Sequence, residues 1–332
     1  MRRLGSFILW STATLVCGAC LILAAAYLYL NPQVPDAASF RNVKLRAPLS
    51  IYSADEKLIQ EFGERLVPVT FDQIPPLFVR ALLDTEDKRF FEHGGIDLIT
   101  LANASWQLVR NKGSIRTGAS TITMQLVKNI SGDTEVRFIR KFKEMLLALK
   151  IEQELSKQEI LALYLNIIPF GKHAFGIQAA ANTYYGKTVD QLDLAQLAML
   201  AGIPQAPEAG NPINGPERAL ARRNLVLARM LEQDSISAEA YQRAVSAPIT
   251  AQVYARTIEL PALYLAEMVR RRLLQQLGGN AYNEGYIVRT TLDSRMQLAA
   301  EAAVMQKLNE YDRRHGYRGP ESRRIQGTDQ YN

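Results

Sequence analysis

The 332-residue sequence has few of the residues that build metal centres and disulfide scaffolds. It contains two cysteines, Cys17 and Cys20, which lie in one apolar run, and three widely spaced histidines without an HExxH pattern. A disulfide scaffold is therefore excluded, and the histidine spacing argues against a histidine-built zinc site. The rest of the chain has no thiol, which is weak support for a location outside the cytosol.

The sequence also has no large excess of either sign of charge. The formal net charge is +6, from 39 Lys+Arg against 33 Asp+Glu, which is too small an excess to indicate a nucleic-acid partner. It suits an anionic membrane surface or a phosphorylated substrate, and equally an ordinary solvated surface. The hydrophobic content of 48% and the charged content of 22% are typical of a folded globular chain.

One long hydrophobic run is present at the N-terminus. Residues 4–30 carry no charge, and a helix needs about 20 apolar residues to cross a bilayer. Arg2 and Arg3 precede the run, so the positive-inside rule places the N-terminus in the cytoplasm and the rest outside. A cleaved signal peptide is the alternative, but the run is longer than a signal peptide usually has.

Hydrophobic periodicity and turn residues divide the remaining chain. We predict a linker and hairpin at 31–71, a nearly all-helical body at 72–247, and a tail at 248–332, after an anchor at 1–30. One helix is predicted to begin at Pro75-Pro76 and to end near His93, before Gly94-Gly95. Ser156 and Glu159 form a capping-box pattern at the start of another.

Glu86 is the first candidate for chemistry. On a helix its neighbours at i−4, i−3 and i+4 are Leu82, Leu83 and Phe90, so the carboxylate lies on an apolar stripe. Partial desolvation makes such a group a better proton acceptor near neutrality. Asp87 could hold a second charge or bind a backbone amide. A solvated acidic pair at a helix end is the alternative, and the pattern alone favours it.

Glu144 is a second acidic residue beside an apolar stripe. Arg140 and Lys141 precede it by one turn, and Leu147 and Ala148 follow it. It is either a structural ion pair or an active-site group held in its charged form.

A third feature is the segment GASTITMQLVKN at 118–129, where hydroxyls and amides gather at a loop-to-helix junction. Free amides at a helix N-terminus bind anions, and Lys128 adds a positive charge about one turn beyond Gln125. The segment therefore suits a pyrophosphate, or is an ordinary Ser/Thr-rich helix start.

Five segments in order resemble the motifs of the peptidoglycan glycosyltransferase domain (family 51) of class A penicillin-binding proteins. They are EDKRFFEH (86–93), GASTITMQLVKN (118–129), RKFKE (140–144), KQEILALYLNIIPFG (157–171) and LAQLAMLAGIPQAP (194–207). The resemblance covers about residues 70–250, and the hairpin, the anchor and the tail at 311–320 also match.

The resemblance implies a mainly α, lysozyme-like, two-lobed glycosyltransferase domain with an N-terminal transmembrane helix. It implies polymerisation of lipid II into β-1,4 glycan strands, with inversion at the anomeric carbon and loss of undecaprenyl pyrophosphate. Glu86 would be the general base for the acceptor 4-hydroxyl. Glu144 would be the second catalytic carboxylate, near the pyrophosphate and a candidate divalent ion, Mg²⁺ or Mn²⁺. No organic cofactor and no protein-built metal site are expected.

The same comparison implies a set of substrate-binding residues on the first three motifs. They are Asp87, Phe90, Gly118, Ser120, Thr121, Thr123, Gln125, Lys128, Asn129, Arg137, Arg140 and Lys141. The expected partners are lipid II, the growing glycan strand, the membrane and other cell-wall synthases, with no nucleic acid. The expected place is the bacterial inner membrane, with the catalytic domain in the periplasm. Residues 98–109, with Trp106, are a candidate membrane contact or a buried core helix.

Some positions depart from the family pattern. Val136 stands where an arginine that binds the diphosphate is usual, with Arg137 beside it, and Ala162 stands for a common glutamate. No SxxK and no KTG sequence occurs, so this chain is not expected to bind penicillin or to cross-link peptides. Two other functions stay open: a weakly active membrane protein that binds lipid II or partner synthases, and a glycan-cleaving lysozyme or lytic transglycosylase.

Overall fold

The structure is a computed structural model that describes residues 2–35, 40, 48–63, 65–110, 120–131, 137–254, 258–282 and 284–316. Its helices are α1 (Arg2–Leu30), α2 (Pro76–Glu86), α3 (Leu98–Arg110), α4 (Ile122–Ser131), α5 (Arg137–Glu154), α6 (Lys157–Ile167), α7 (Ile177–Tyr185), α8 (Leu194–Gly202), α9 (Pro216–Glu232), α10 (Ala238–Ser246), α11 (Leu263–Leu277) and α12 (Ser294–His315). Its strands are β1 (Leu49–Tyr52), β2 (Leu58–Phe62), β3 (Arg65–Leu66), β4 (Ala174–Phe175) and β5 (Ile287–Arg289). The prediction of a mainly α chain is confirmed. The two-lobed, lysozyme-like arrangement stays a prediction.

The chain forms two compact units. The first comprises Met1–Pro48, Gly63–Arg256 and Tyr282–Gly285, and the second comprises Leu49–Phe62, Thr257–Ala281 and Tyr286–Asn332. The first unit contains all five of the sequence motifs. The second groups the predicted hairpin with residues that the sequence analysis placed in a separate tail.

The second unit is built on a three-stranded sheet in the order β2-β1-β5. The predicted hairpin is confirmed, because β1 pairs antiparallel with β2 and Ser50 lies opposite Glu61. The other edge of β1 pairs parallel with β5, where Ile51 lies opposite Val288. A parallel pair needs a long connection, and here more than 200 residues of the first unit and the tail separate the two strands.

Two helix groups form the core of the first unit. In one group α2, α8 and α9 pack on one another, and in the other α4 packs on α5 and α6. α8 has the sequence LAQLAMLAG and is buried on nearly all sides, as expected of a helix that is apolar all round. α2 and α9 are amphipathic and bury Phe78, Leu82 and Val226 among other residues. Because one side of α2 and one side of α4 are buried, their exposed polar residues lie on the other side of each helix.

α2 ends at Glu86, about two turns before the predicted end near His93. Asp87 leaves the helical region with φ −159° and ψ 71°. Its carboxylate accepts a hydrogen bond from the Ile122 amide of α4 at 2.9 Å. A short polar side chain that bonds a distant backbone group competes with continuation of the helix. Sequence periodicity could not register that contact, so the prediction was wrong here.

α6 begins where the sequence predicts. Ser156 is its N-cap, and the hydroxyl of Ser156 and the carboxylate of Glu159 form the reciprocal capping box. The helix forms with Ala162 in it. At its end the buried side chain of Asn166 bonds both the amide and the carbonyl of Val69, each at 2.8 Å. The backbone then turns at Gly176, which has a φ of 83°. A Cβ at this position would lie 2.7 Å from the carbonyl oxygen of Asn166, so the position requires glycine.

Two predictions concern the membrane. Among the residues that the structure describes, no helix combines the length and hydropathy of a bilayer span. The predicted transmembrane anchor at 1–30 is therefore not confirmed, although α1 covers Arg2–Leu30. α3 forms as predicted and exposes Leu98, Ile99 and Trp106, so these side chains do not belong to a buried core helix.

Candidate active site

A cavity of about 630 Å³ in the first unit collects residues of all five motifs. The end of α2, the start of α4, α5, α6 and α9 contribute to its wall. The predicted site residues that line it are Glu86, Asp87, Ser120, Thr121, Gln125, Lys128, Asn129, Lys141 and Glu144. Side chains separated by up to 58 positions in the sequence are thus brought into one wall by the packing of α2, α4 and α5.

Glu86 is clamped by two donors. Its Oε1 accepts a hydrogen bond from Arg222 Nη2 at 2.8 Å, and its Oε2 accepts one from Gln125 Nε2 at 3.2 Å. The Glu86 side chain is 19% exposed. A solvated acidic pair at the helix rim does not describe this position. The carboxylate is held in one orientation at the wall of the cavity.

Tyr164 decides how the Gln125 amide faces. The buried phenol of Tyr164 donates to Gln125 Oε1 at 2.9 Å. Burial raises the pKa of Tyr164, and the negative charges of Glu86 and Asp87 raise it further. The phenol therefore stays protonated and remains a donor at every physiological pH. With Oε1 taken, the amide nitrogen of Gln125 is directed at Glu86.

Asp87 is buried and binds protein groups. Besides the Ile122 amide, it faces His93 Nε2 at 3.1 Å. His93 Nδ1 accepts a hydrogen bond from the Gly95 amide at 3.2 Å, so the proton of the neutral ring is on Nε2, facing Asp87. The prediction that Asp87 binds a backbone amide is confirmed. Its charge is directed at the N-terminus of α4, beside Glu86.

Glu144 is held in an ion pair at the cavity wall. It is buried, it lines the cavity, and its oxygens face Lys141 Nζ at 3.0 Å and Arg140 Nε at 3.5 Å. Lys141 Nζ also donates to the Ser120 hydroxyl at 2.7 Å. The buried carboxylate is thus paired, as a buried charge must be. It holds Lys141 at the cavity wall next to the start of α4.

The amides at the start of α4 are already occupied. Asp87 accepts from the Ile122 amide, and the Thr121 hydroxyl accepts from the Met124 amide at 3.2 Å. The prediction that free amides of this helix bind an anion is therefore wrong for these two positions. Positive charge on the cavity wall comes from Lys128, in the last turn of α4, and from Lys141, which bonds Ser120 just before α4.

Comparison with known proteins fits this geometry. Residues 55–231 match the family described as Transglycosylase. The chain belongs to the transglycosylase family. It is 49% identical to penicillin-binding protein 1A of Pseudomonas aeruginosa over 97% of this chain and 39% of that protein. It is 45% identical to the Escherichia coli protein of that name, over 92% of this chain and 37% of that one.

A solved structure is also similar to this transglycosylase. The crystal structure of penicillin-binding protein 1A from Haemophilus influenzae aligns with a TM-score of 0.53 and 33% identity. The alignment covers 87% of this chain and 33% of that chain. This chain thus spans about two fifths or less of the length of the relatives that it matches.

Several predicted binding residues of the transglycosylase lie elsewhere. Phe90 is 1% exposed, packs edge-on against His93, and has Lys157 Nζ 4.2 Å from its ring centre. Thr123 is fully buried and donates to Glu152 at 2.5 Å. Both lie behind the wall, so a direct contact with substrate does not fit their positions.

The remaining predicted positions either do not line the cavity or lie outside the described residues. Arg140 contacts Glu144 without lining the cavity. Gly118 and Val136, and the side chain of Arg137, lie outside the described residues.

Sequence reasoning missed Arg222 and Arg229, which bring α9 into the site. They lie seven residues apart on α9, so they share a face, and both line the cavity. Arg229 Nη1 donates to the carbonyl of Thr85, and Arg222 bonds Glu86. Burial lowers the pKa of Arg222, with Glu86 acting against that effect. The i, i+7 spacing of two arginines on a core-packed helix was the available signal.

The residues present do not fit a divalent ion held by the protein. No cluster of three or more His, Cys, Asp or Glu side chains occurs among the described residues. Both oxygens of Glu144 already face the cations Arg140 and Lys141. Mg²⁺ needs near-octahedral oxygen ligands, and a carboxylate flanked by two cations is a poor start for such a site. We therefore derive no step through a metal.

Proposed function

We propose that this chain is a peptidoglycan glycosyltransferase that polymerises lipid II into β-1,4 glycan strands and releases undecaprenyl pyrophosphate. The observation that carries the proposal is one cavity whose wall includes both an oriented carboxylate, Glu86, and the cationic side chains of Lys128 and Lys141. A glycosyl transfer with a diphosphate leaving group needs a base for the acceptor and positive charge for the departing group.

Glu86 is the base in this proposal. Its carboxylate takes the proton of the acceptor 4-hydroxyl as that oxygen forms a bond to the anomeric carbon of the donor. The bond from the anomeric carbon to the pyrophosphate oxygen breaks on the opposite face, so the configuration inverts. The clamp formed by Arg222 and Gln125 fixes the carboxylate before the acceptor arrives, which removes a cost of orientation from the reaction.

Lys128 and Lys141 stabilise the negative charge that grows on the leaving diphosphate. Lys141 is fixed between Glu144 and Ser120, at 3.0 and 2.7 Å, so it is in place before the charge develops. Glu144 acts by holding Lys141 and Arg140 near the donor. The exposed ammonium of Lys128 contributes a point charge at the cavity mouth.

The proposed location is the extracytoplasmic face of the bacterial inner membrane, because lipid II carries a polyprenyl tail that stays in lipid. The charge-free run at 4–30 after Arg2 and Arg3 supports an N-terminal anchor. The exposed side chains of Leu98, Ile99 and Trp106 support a second contact of α3 with the bilayer surface. The growing strand and other cell-wall synthases are proposed partners.

The test is incubation of the detergent-solubilised chain with labelled lipid II, with and without moenomycin, and separation of the polymer on a gel. We expect a moenomycin-sensitive polymer that disappears in Glu86→Gln. Glu92→Gln is the matched control, because Glu92 is exposed and lies outside the cavity wall. Polymer from Glu86→Gln would overturn the assignment of the base. No polymer from a folded wild-type chain that still binds lipid II would indicate a binding protein, and release of fragments from finished glycan would indicate a lytic enzyme.

A further inference from the structure

Two adjacent arginines of α9 have different surroundings. Arg223 is 1% exposed. It donates to the carbonyl of Val245, in the last turn of α10, at 2.8 Å and to the carbonyl of Ala247, just beyond α10, at 2.7 Å. Arg222 faces the cavity, and among the described residues its hydrogen-bond partner is Glu86 alone. Arg223 therefore ties α9 to the end of α10, whereas the described bonds of Arg222 serve one carboxylate.

The contact with Glu86 uses only part of the hydrogen-bonding capacity of the Arg222 guanidinium. Nη2 bonds Oε1 at 2.8 Å, while Nε is buried and makes no hydrogen bond to the residues that the structure describes. A buried donor without a hydrogen-bond partner destabilises the fold. A purely structural arginine would gain more from a set of carbonyls such as the one that Arg223 binds. The position of Arg222 is thus explained by Glu86.

Gly202 makes room for this arginine. It is the last residue of α8, and a Cβ added to it would lie 2.8 Å from Arg222 Cγ. That distance is too short for two carbon atoms, and Cγ belongs to the stem of the side chain. The stem of Arg222 must shift if a methyl group is placed at 202. Gly202 therefore offers a way to displace the guanidinium without removing its charge.

Other charged or titratable groups share the cavity wall with Glu86. They are Asp84, Asp87 and Lys88 near it in the chain, Asp97 just before α3, Lys128 on α4, Lys141 and Glu144 on α5, Tyr164 on α6, and Arg229 and Glu232 on α9. Within the described residues, Arg222 is the cation that bonds Glu86.

We propose that Arg222 is a positioning residue for Glu86: its guanidinium holds the carboxylate fixed in the cavity, so that Glu86 is oriented to accept a proton. This inference rests on the proposed function, in which Glu86 is the base. Arg222 acts through Glu86 and touches no reacting atom in this role.

The consequence is a specific effect on the chemical step. A carboxylate that loses its fixed orientation reaches the reacting geometry less often, whereas Lys128 and Lys141 keep their places at the donor. Loss of the Arg222 contact should therefore lower kcat and leave KM for lipid II close to its wild-type value. Arg222→Lys keeps a cation at this position and should recover part of the lost kcat.

The experiment measures kcat and KM separately for polymerisation of labelled lipid II. The full chain carries Arg222→Gln, Arg222→Lys or Gly202→Ala, and the control is Arg218→Gln. Arg218 is exposed and lies one turn earlier on α9, outside the cavity wall, so it matches the loss of one positive charge. Thermal unfolding checks that each variant is folded.

We expect kcat to fall about tenfold or more in Arg222→Gln, to fall less in Arg222→Lys, and to stay unchanged in Arg218→Gln, with KM close to the wild-type value in all three. Gly202→Ala should lower kcat as Arg222→Gln does, although its charge is unchanged. An active wild type whose kcat is unchanged in Arg222→Gln and Gly202→Ala overturns this inference alone. A folded wild type without polymer overturns the proposed function and this inference with it.

Discussion

The phenol of Tyr164 and the side-chain amide of Gln125 are joined by a 2.9 Å hydrogen bond, and this bond directs the Gln125 nitrogen at Glu86. An amide can flip and present oxygen instead of nitrogen with little change of shape. In the flipped state the side-chain oxygen of Gln125 would face the carboxylate oxygen of Glu86, and neither atom carries a proton to share. Tyr164 therefore selects the productive orientation from a buried position in the cavity wall.

Removal of this hydroxyl should slow the reaction. In Tyr164→Phe the amide of Gln125 loses its orientation, and we expect kcat to fall by about 3–10-fold, the equivalent of one ordinary hydrogen bond. Tyr184→Phe is the matched control, because the buried phenol of Tyr184 donates to the Phe170 carbonyl at 2.7 Å and lies outside the cavity wall. Both variants should lose similar stability in a thermal melt. Equal rates for the two would contradict the orienting role of Tyr164.

Lys141 should act on the departing diphosphate. Lys141→Met breaks the bonds to Ser120 and Glu144 and leaves a buried carboxylate with Arg140 alone. Hydrogen bonds to charged groups contribute about 1.5–3 kcal/mol, so kcat/KM for lipid II should fall about tenfold or more. Lys143→Met, two residues on and outside the cavity wall, is the control that removes a charge from the same helix. A kcat/KM for Lys141→Met that matches this control would argue against the cationic wall.

The second unit should show an acid-sensitive contact. The Ser294 hydroxyl at the start of α12 donates to Asp55 at 2.6 Å, and this bond, with further bonds from Ser53 and the Ser294 amide, lowers the pKa of Asp55 to about 2. A carboxyl with a depressed folded pKa stabilises the fold above its unfolded pKa, near 3.8, and loses that contribution as pH falls to about 2.

The corresponding test is hydrogen exchange of the α12 amides in wild type and Ser294→Ala, from pH 6 to pH 2. Comparison of the two chains at each pH removes the intrinsic effect of pH on exchange. We expect Ser294→Ala to open more readily at pH 6 and the difference to disappear between about pH 4 and pH 2. A difference that persists unchanged at pH 2 would show that the hydroxyl acts through something other than the Asp55 carboxylate.

Asn166 should contribute to the stability of the first unit. Its buried amide bonds both backbone groups of Val69, 97 positions away in the sequence. Asn166→Ala leaves a backbone donor and an acceptor without these partners, and we expect a loss of about 1–3 kcal/mol in urea unfolding. Asn214→Ala, at an exposed amide that bonds the Glu208 carbonyl, should cost clearly less. Equal losses would mean that water replaces Asn166 at Val69.

Local chemistry was readable from the sequence. The capping box at Ser156 and Glu159, the hairpin at 49–62 and the helical body followed from contacts between residues a few positions apart. The clustering of Glu86, Gln125, Lys141 and Glu144 followed from the family resemblance of their motifs and is seen in the cavity. Phe90 and Thr123 were assigned to binding for the same reason, but a motif does not state which side of a wall a residue occupies.

The sequence by itself determined which residue types the site has, since short-range periodicity and motif order depend on neighbours along the chain. The tertiary structure alone decided what holds them. Arg222 meets Glu86 across 136 positions, Asp87 ends α2 by bonding α4, and β5 adds to β1 from the far end of the chain. Such contacts arise from the packing of α2 against α8 and α9 and from sheet pairing. Their energy depends on burial and on distances that no local pattern encodes.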